Sequence, residues 1–506
     1  MGIKAFAARI LAKQVHKSTL NWSRNPAQVQ KKILEQLVKV GKETLFGDDH
    51  DFNYIKNYSD FKEVVPIRDY EGLRPYVKKI LEGEDDVLWK GKPLYFAKTS
   101  GTTSGVKYIP ISDESMPYHI NAARNALLAY IYETGNASFL DGKLIFLSGS
   151  PVLEEKSGIQ TGRLSGIVNH HVPSYLRGGQ LPSYKTNCIE DWETKVDKIV
   201  EETISQDMRL ISGIPPWMQM YFDKLQEKSG KKIGELFPNF SLMVQGGVNF
   251  EPYREKLFQS IGRKIDTVET FPASEGFMAY QNSQKEEGLL LLLNHGIFYE
   301  FIPASEVHNN NPTRLNISQV ELGVNYAIIL NTNAGLWGYN IGDTVKFVSK
   351  DPYKIIVTGR IKHFISAFGE HVIGEEVESS ITEVAREQGV NIIEFTVAPN
   401  INPAEGGLPY HEWFVEFENI PENLDNFRMK VDERLQRRNI YYKDLIAGKI
   451  LQPLCIRPMQ KDSFINYMKS IGKLGGQNKL PRLSNDRTIA DKLGDYVLQR
   501  HNSITN

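Results

Sequence analysis

Cysteine is scarce in this sequence, since Cys188 and Cys455 are the only two among 506 residues. Two cysteines cannot build the disulfide framework of a small secreted scaffold, and such isolated thiols are typical of a reducing compartment. The sequence therefore predicts a cytoplasmic protein that is stabilised by its core and not by covalent cross-links.

Long hydrophobic runs and a charge of one sign are also lacking. The densest apolar stretch, residues 289–293, is followed by Asn294 and His295, whereas a membrane-spanning helix needs about 20 apolar residues. Lys and Arg number 60 against 61 Asp and Glu, which gives a net charge of −1. We therefore expect neither a membrane span nor a nucleic-acid partner.

The sequence supports neither a zinc site nor a serine hydrolase site. His170 and His171 are adjacent, His363 and His371 lie eight positions apart, and no cysteine stands at metal-ligand spacing. Zinc chemistry is therefore not expected. The sequence also has no Gly-x-Ser-x-Gly motif, so it does not indicate a serine hydrolase.

What the sequence does have is the composition of an ordinary globular protein, with 41% hydrophobic and 24% charged residues. Basic residues crowd the N-terminus ahead of the first acid, Glu35, and apolar residues recur among them at helical spacing. Such a helix is either a targeting or membrane-surface segment or the first helix of the fold, and we favour the second interpretation. No heptad pattern is visible, and we expect a monomer.

Short apolar runs alternate with amphipathic segments from residue 94 onwards. Residues 144–147, 209–211 and 242–244 read as buried strands with helical segments after them, which predicts a largely parallel α/β sheet. Strands follow one another more closely between residues 289 and 348, which indicates an antiparallel or barrel-like portion. We predict one large α/β domain over residues 1–360 and a small α+β domain over residues 361–506.

The first candidate motif is a Ser/Thr- and Gly-rich segment that directly follows an apolar run. Two glycines four apart allow a tight turn whose N–H groups and hydroxyls could bind phosphate oxygens, with Lys107 as a nearby charge. It is not a Walker A loop, and composition alone equally fits a flexible surface loop. The segment consists of Thr99, Ser100, Gly101, Thr102, Thr103, Ser104 and Gly105.

Two further motifs place a carboxylate on a glycine-containing turn. Glu275, within Ala273-Ser274-Glu275-Gly276, follows a strand-like run and is suited to hold Mg²⁺ beside phosphates. Asp343, within Tyr339-Asn340-Ile341-Gly342-Asp343, is suited to accept hydrogen bonds from ribose hydroxyls. By itself, each motif is more typical of an ordinary solvated turn.

A fourth motif, residues 475–482, places Lys479 in a glycine-led segment near the C-terminus. A lysine there could neutralise charge that develops on a reacting phosphate, or it could simply be an exposed loop residue.

Taken together and in this order, the four motifs resemble adenylate-forming enzymes. More narrowly, they are similar to the auxin-responsive acyl-acid amido synthetase family, which is known from plant hormone conjugation and has many bacterial relatives. Supporting similarity lies at residues 65–71 and 364–371. The resemblance covers nearly the whole chain.

The resemblance implies a two-step ligase that uses ATP and Mg²⁺. A carboxylic acid first forms an acyl-adenylate, and an amine, usually an amino acid in this family, then takes the acyl group and releases AMP. The C-terminal domain would be mobile, with a hinge around Arg360 and Lys362.

The same resemblance assigns roles residue by residue. Thr99 and residues 100–104 would bind the phosphates with help from Lys107, Glu275 would hold the metal, and Lys479 would reach the reacting phosphate. The nucleotide would also contact the set Gly246, Gly247, Ala273, Ser274, Tyr339, Asp343 and Arg360.

Two positions depart from the family pattern: Asn340, where relatives often have arginine, and Thr99, where serine is common. Neither departure removes a residue to which a chemical role is assigned. Two alternatives to the amido synthetase stay open at this point. They are an acid–thiol ligase that uses the same adenylate and a catalytically silent nucleotide-binding protein.

Overall fold

A computed structural model describes most of the chain. The described residues are 2–100, 106–172, 178–247, 250–307, 309–361, 364–365, 372–401, 403, 407–447, 451–474, 480–484 and 487–498. The chain divides into two compact units. The first unit comprises residues 1–248, 257–357 and 475–477, and the second comprises residues 249–256, 358–474 and 478–506.

The N-terminal region is helical, as the sequence predicts. Its helix starts carry capping side chains: Asn57 and Asp69 accept hydrogen bonds from the first free N–H groups of the helices that follow them. The described helices are α1 (Ile3–Ser23), α2 (Pro26–Gly41), α3 (Leu45–Asp49), α4 (Tyr58–Val64), α5 (Tyr70–Leu81), α6 (Met116–Thr134), α7 (Leu164–His170), α8 (Tyr184–Asn187), α9 (Trp192–Thr203), α10 (Pro215–Ser229), α11 (Ile233–Leu236), α12 (Glu251–Ile261), α13 (Gly374–Gln388), α14 (Leu424–Arg438), α15 (Ile440–Ala447), α16 (Ser463–Ser470) and α17 (Thr488–Leu493).

The described strands form four sheets. They are β1 (Tyr95–Ser100), β2 (Val106–Ile111), β3 (Lys143–Phe146), β4 (Glu154–Lys156), β5 (Ile159–Gly162), β6 (Gln180–Leu181), β7 (Met208–Gly213), β8 (Leu242–Gly246), β9 (Asp266–Ala273), β10 (Gly276–Tyr280), β11 (Leu289–Leu291), β12 (Ile297–Pro303), β13 (Asn325–Thr332), β14 (Tyr339–Lys350), β15 (Tyr353–Arg360), β16 (Phe364–Ile365), β17 (Val372–Ile373), β18 (Ile392–Asn400), β19 (Tyr410–Phe417) and β20 (Cys455–Pro458).

An eleven-stranded sheet forms the centre of the first unit, in the order β12-β13-β14-β15-β11-β10-β9-β8-β7-β3-β6. Strands β6, β3, β7, β8 and β9 are parallel, with α10 between β7 and β8 and α12 between β8 and β9. The predicted parallel α/β arrangement is therefore confirmed. The buried pair Leu210–Leu242 and the pair Val244–Val268 show the in-register parallel pairing.

The other part of the same sheet contains the closely spaced strands. Antiparallel pairs join β9 to β10, β10 to β11, β11 to β15, and β14 through β13 to β12. Among the described strands the order is linear, with β12 and β6 at its two ends. The barrel-like portion expected from the sequence is thus an antiparallel extension of an open sheet.

A four-stranded sheet, β2-β1-β5-β4, stands beside the large sheet in the first unit. Strand β1 pairs antiparallel with β2 and parallel with β5.

The second unit is built on the sheet β18-β19-β20. Its core packs Trp413 and Val415 of β19 against Val377 and Ile381 of α13 and Val431 of α14. This is the α+β composition that the sequence predicts for the C-terminal part. No helix among the described residues is long and apolar enough to cross a membrane.

A buried ion pair connects the N-terminal helices to the antiparallel strands. Glu300 on β12 is fully buried, and Arg314 donates to both of its carboxylate oxygens at 2.9 and 2.8 Å. Tyr58 of α4 and Asn331 of β13 also donate to this carboxylate. Arg314 in turn donates to the carbonyl oxygens of Lys62 and Val65.

Replacing Arg314 by Leu tests this network. The substitution leaves the Glu300 carboxylate buried without its cation, so we expect the free energy of unfolding to fall by about 3–5 kcal/mol. Urea unfolding measures the change. As a control, Lys31→Ala breaks an exposed pair with Glu35 and should cost less than about 0.5 kcal/mol. A loss below about 1 kcal/mol for Arg314→Leu would contradict the assignment.

Two buried histidines make the stability of the first unit pH-dependent. His119 of α6 is 4% exposed, and burial lowers its pKa to about 4. His295, which follows β11, is 8% exposed, and burial likewise lowers its pKa to about 4. Both rings are therefore neutral in the folded protein at pH 7.

Because the unfolded chain binds these protons near pH 6.5 and the folded chain only near pH 4, stability is lost as the pH falls through that window. The loss approaches about 1.4 kcal/mol per pH unit for each histidine. Urea titrations at pH 7.5 and 5 should show His119→Leu with a shallower pH dependence than the wild type. If the stabilities of His119→Leu and the wild type depended on pH in the same way, His119 would not contribute to the pH dependence.

Candidate active site

The Ser/Thr- and Gly-rich motif is carried by a β-hairpin. In the pairing of β1 with β2, Thr99 lies opposite Lys107 and Ser100 opposite Val106. The predicted phosphate-binding residues Gly101, Thr102, Thr103 and Ser104, together with the Ser100 side chain, lie outside the described residues. The hairpin therefore positions Thr99 and Lys107 at the two ends of this segment.

Helix α5 packs against the Lys107 side of the hairpin. The Lys107 Nζ lies 5.5 Å from the centre of the Tyr70 ring, and the Tyr70 hydroxyl accepts a hydrogen bond from the Tyr108 N–H at 2.8 Å. The face of the aromatic ring attracts the positive charge of the lysine. On β1 itself, Lys98 forms an ion pair with Glu154 of β4.

Glu275 occupies a tight turn between two strands of the large sheet. Ala273 of β9 pairs with Gly276 of β10, so Ser274 and Glu275 form a two-residue connection. Ser274 is 8% exposed, and Glu275 is half-buried. The turn holds a carboxylate at the carboxyl end of β9, as the sequence predicts for this motif.

Gly246 and Gly247 follow the neighbouring strand, β8. Gly246 pairs with Thr270 of β9, and a Cβ atom at Gly246 would come within 2.7 Å of the Thr270 Oγ1 and overlap the Thr270 carbonyl oxygen. Gly247 has φ of +82°, a region that favours glycine. Both glycines are therefore required by the backbone at this strand end.

The third motif begins β14 and is fixed by long-range hydrogen bonds. Gly338 has φ of +55° and donates its N–H to the Asn331 Oδ1 at 2.6 Å. Arg68, in the N-terminal region, accepts from the Asn340 N–H and donates its N–H to the Gly338 carbonyl. The stretch around Arg68, which supported the resemblance in sequence, thus pairs directly with this motif.

Asp343 lies in an irregular part of β14. Pairing with β13 runs from Ile329–Asn340 to Ala327–Thr344, so the residues between Asn340 and Thr344 bulge from the ladder. Gly342, with φ of +88°, donates its N–H to the Asn340 Oδ1 at 2.9 Å. Asn340, the departure from the family pattern, therefore stabilises the bulge that presents half-buried Asp343.

A hydrogen bond brings the second and third motifs together. The Tyr339 hydroxyl donates to the Glu275 Oε1 at 3.3 Å, and the Tyr339 ring is 2% exposed. Residues 64 positions apart in the chain thus lie side by side in the first unit. Among the described residues, no three His, Cys, Asp or Glu side chains cluster as metal ligands. A phosphate-bound Mg²⁺ requires only one or two carboxylates from the protein, so the Glu275 carboxylate fits that ion.

The remaining predicted residues belong to the second unit. Arg360 ends β15, and its side chain lies outside the described residues, as does all of Lys479. The segment that follows Lys479 is fixed on β18: Val397 exchanges backbone hydrogen bonds with Arg482 and Ser484, and the Thr396 Oγ1 donates to the Pro481 carbonyl. The Arg482 side chain is buried between Glu378 and Glu394.

Some residues that shape the site escaped the sequence analysis. Asn331 and Arg314 act through partners far away in the chain, and neither stands in a recognisable motif. Only the pairing of distant strands reveals these positions.

Family models match three parts of the chain. They are the GH3 family N-terminal domain over residues 15–178, the GH3 family central domain over residues 290–360 and the GH3 family C-terminal domain over residues 375–488. These ranges cover more than half of the chain. The chain belongs to the GH3 family. The resemblance drawn from the four motifs is thereby confirmed.

Relatives of this GH3 family chain include plant enzymes. It is 21% identical over 564 residues to indole-3-acetic acid-amido synthetase GH3.3 of Arabidopsis thaliana, with 95% of this chain and 93% of the relative covered. It is 23% identical over 391 residues to jasmonoyl–L-amino acid synthetase JAR4 of Nicotiana attenuata, with 64% of this chain and 67% of the relative covered.

Solved structures share the fold. The GH3.15 acyl acid amido synthetase in complex with 2,4-DB aligns with a TM-score of 0.79 at 15% identity, covering 96% of each chain. A 2-hydroxyisobutyryl-CoA ligase in complex with its acyl-AMP aligns with a TM-score of 0.59 at 13% identity, covering 92% of this chain and 90% of that one. The predicted α/β fold is therefore confirmed.

The family models do not cover every candidate residue. Lys107, Tyr339, Asp343 and Lys479 lie within the matched ranges, whereas Gly246 and Glu275 lie between the first two. The individual roles of these residues stay predictions.

Replacing Gly246 by Ala tests the strand end beside Glu275. The new methyl group must displace the Thr270 backbone, so we expect the free energy of unfolding to fall by about 1–3 kcal/mol and ATP to bind more weakly. Thermal unfolding with and without ATP measures both effects. Gly178→Ala is the control, because a Cβ atom there meets nothing within 4 Å. If the two variants had the same stability and the same response to ATP, the backbone at Gly246 would not require glycine.

Proposed function

We propose that this protein is an ATP-dependent acyl-acid amido synthetase, which adenylates a carboxylic acid and transfers the acyl group to an amine, most naturally an amino acid. Membership of the GH3 family carries the proposal. The contact between Tyr339 and Glu275 supports it, because it unites a ribose-side motif with a phosphate-side motif. The relatives' names specify different acids, so the proposal names only the substrate class.

Two displacements make up the reaction. A carboxylate oxygen of the acid attacks the α-phosphorus of ATP, and the bond to the bridging oxygen breaks to release pyrophosphate. The amine nitrogen then attacks the acyl carbon, loses a proton, and displaces AMP. The first step joins two anions, so it depends on charge neutralisation and in-line positioning more than on a strong base.

The hairpin and the two turns supply these requirements. In the proposal, Thr99 to Ser104 bind phosphate oxygens, and Lys107 adds positive charge across the hairpin from Thr99. Glu275 holds Mg²⁺, which neutralises phosphate charge when it is bound. Ala273 and Ser274 complete that turn.

The nucleoside end of ATP is assigned to the neighbouring strand ends. In the proposal, Gly246 and Gly247, at the end of β8, lie near the adenine, and Tyr339 forms a wall of the nucleotide site. Asp343 accepts hydrogen bonds from the ribose hydroxyls.

We also propose separate roles for the two parts of the chain. Residues 1–360 bind ATP and the acid, and residues 361–506 form the mobile domain that supplies Lys479 to the phosphate, with Arg360 at the hinge. We further propose a monomer in the cytoplasm, for which the two free cysteines are suited.

An acid–thiol ligase would share the adenylate and the same ATP-binding residues. The fold favours the amide reaction, because the TM-score to the amido synthetase is 0.79 and that to the CoA ligase is 0.59. Hydroxamate or amide formation without CoA separates the two reactions.

The decisive measurement is ATP–pyrophosphate exchange with a panel of aromatic, fatty and hydroxy acids, followed by AMP release with mixed amino acids. We expect acid-dependent exchange and AMP release that one amino acid accelerates. CoA-dependent AMP release would instead establish the acid–thiol ligase. No exchange with any acid, while ATP still binds, would favour a silent nucleotide-binding protein.

Glu275→Gln provides the residue-level test. Loss of the metal-binding charge should lower the rate of exchange by about 10²–10³-fold, and added Mg²⁺ should recover part of it. The exposed Glu287→Gln variant has the same change in charge and should match the wild type. An unchanged rate for Glu275→Gln would remove Glu275 from the mechanism.

A further inference from the structure

Arg163 is a half-buried cation of the first unit whose guanidinium has no hydrogen-bond or ion-pair partner among the described residues. The exposed side chain of Glu190 nevertheless favours its charged form. Burial lowers the pKa of Arg163 from its ordinary value. A guanidinium carries five N–H donors, and leaving them unpaired in a half-buried place costs free energy unless water or a ligand accepts them.

The sheet pairing places Arg163 beside the phosphate-binding hairpin. Strands β1 and β5 are parallel, with Ala97 opposite Gly162. Arg163 is the next residue after Gly162, so it lies alongside Lys98 at the point where β1 leads into Thr99. Lys98 is paired with Glu154, whereas Arg163 has no ion-pair partner in the part of the chain that the structure describes.

The loop after β3 supports Arg163 from the other side. Gly149 leaves room for the guanidinium stem, because a Cβ atom there would lie 3.0 Å from the Arg163 Cδ. The Gly149 N–H also donates to the Ser165 Oγ at 3.2 Å. Arg163 therefore stands between the carboxyl ends of β5 and β3, and such strand ends are where open α/β sheets bind ligands.

Lys195 makes this place more positive. It is 1% exposed and donates to the carbonyl oxygens of Ser148 at 2.9 Å and Asn187 at 2.7 Å, which fixes the same loop. Burial lowers the pKa of Lys195 to about 8, and the charge of Arg163 contributes to the lowering. Two cations thus lie close enough to influence each other, and the nearby acid, Glu190, is exposed.

From this arrangement we infer that Arg163 binds a substrate carboxylate, with Lys195 as a positioning residue that holds the loop beneath it. The planar fork of a guanidinium matches a carboxylate with two parallel hydrogen bonds. The inference rests on the proposed function, which provides two sources of a carboxylate: the acid before it is activated and the amino acid that accepts the acyl group.

Steady-state kinetics of Arg163→Gln and Arg163→Lys test the assignment. Loss of the charge should raise the KM for one carboxylate substrate by about ten- to hundredfold while the KM for ATP stays unchanged, and lysine should recover part of the loss. Arg24→Gln, an exposed position, controls for the change in charge.

Comparing hydroxylamine with an amino acid as the acyl acceptor shows whether Arg163 binds the acid or the amino acid. If the acid is bound, its KM in pyrophosphate exchange rises, and hydroxamate formation with hydroxylamine weakens to the same degree. If the amino acid is bound, exchange and hydroxamate formation are unchanged and only the KM for the amino acid rises. Unchanged constants for both substrates, or a matching rise in the KM for ATP, would overturn the inference.

A binding measurement separates this inference from the proposed function. The midpoint temperature of thermal unfolding of the wild type should rise more with a carboxylic acid of the panel, or with an amino acid, than with the corresponding amide. Arg163→Gln should abolish that difference. A wild type without pyrophosphate exchange would count against the proposed function. A carboxylate effect that persists in Arg163→Gln, or that is absent from the wild type, would count against Arg163.

Discussion

The burial of one carboxylate, Glu300, constrains much of the first unit. It has no contact with solvent, so every partner that it needs must come from the protein. Arg314, Tyr58 and Asn331 meet that need from separate parts of the chain. Asn331 uses its other amide atom to accept from the Gly338 N–H, which sets the start of β14. The buried Glu300 carboxylate is thus connected through Asn331 and Gly338 to the strand that carries Tyr339 and Asp343.

The candidate active site is an assembly of turns whose shapes the backbone enforces. Positive φ angles at Gly338 and Gly342, and the absence of space for a side chain at Gly246, fix where the strands may end. The candidate side chains on these turns lie close together, since the Tyr339 hydroxyl donates a hydrogen bond to Glu275. Such preorganisation suits a reaction whose main demand is the placement of charge around phosphate.

Cations in this protein fall into two kinds that composition cannot separate. Arg314 and Arg482, whose side chains are 10% and 14% exposed, are bound by carboxylates, so they serve the fold. Arg163 is half-buried and has no such partner among the described residues, so its charge is available to a ligand. Whether a basic side chain has a structural or a binding role is decided by its neighbours and not by its type.

The sequence by itself determined the α/β class, the parallel strands with their helices, the antiparallel strands after residue 289 and the four motifs, because all of these depend on local periodicity and short spacing. Tertiary structure alone decided what depends on pairing between distant segments: an open sheet in place of a barrel-like portion, the pairing of Arg68 with the start of β14, and the network around Glu300. It also placed Arg163 beside the hairpin. A single sequence records the residue types but not which of them meet, because those contacts form only when strands far apart in the chain become neighbours.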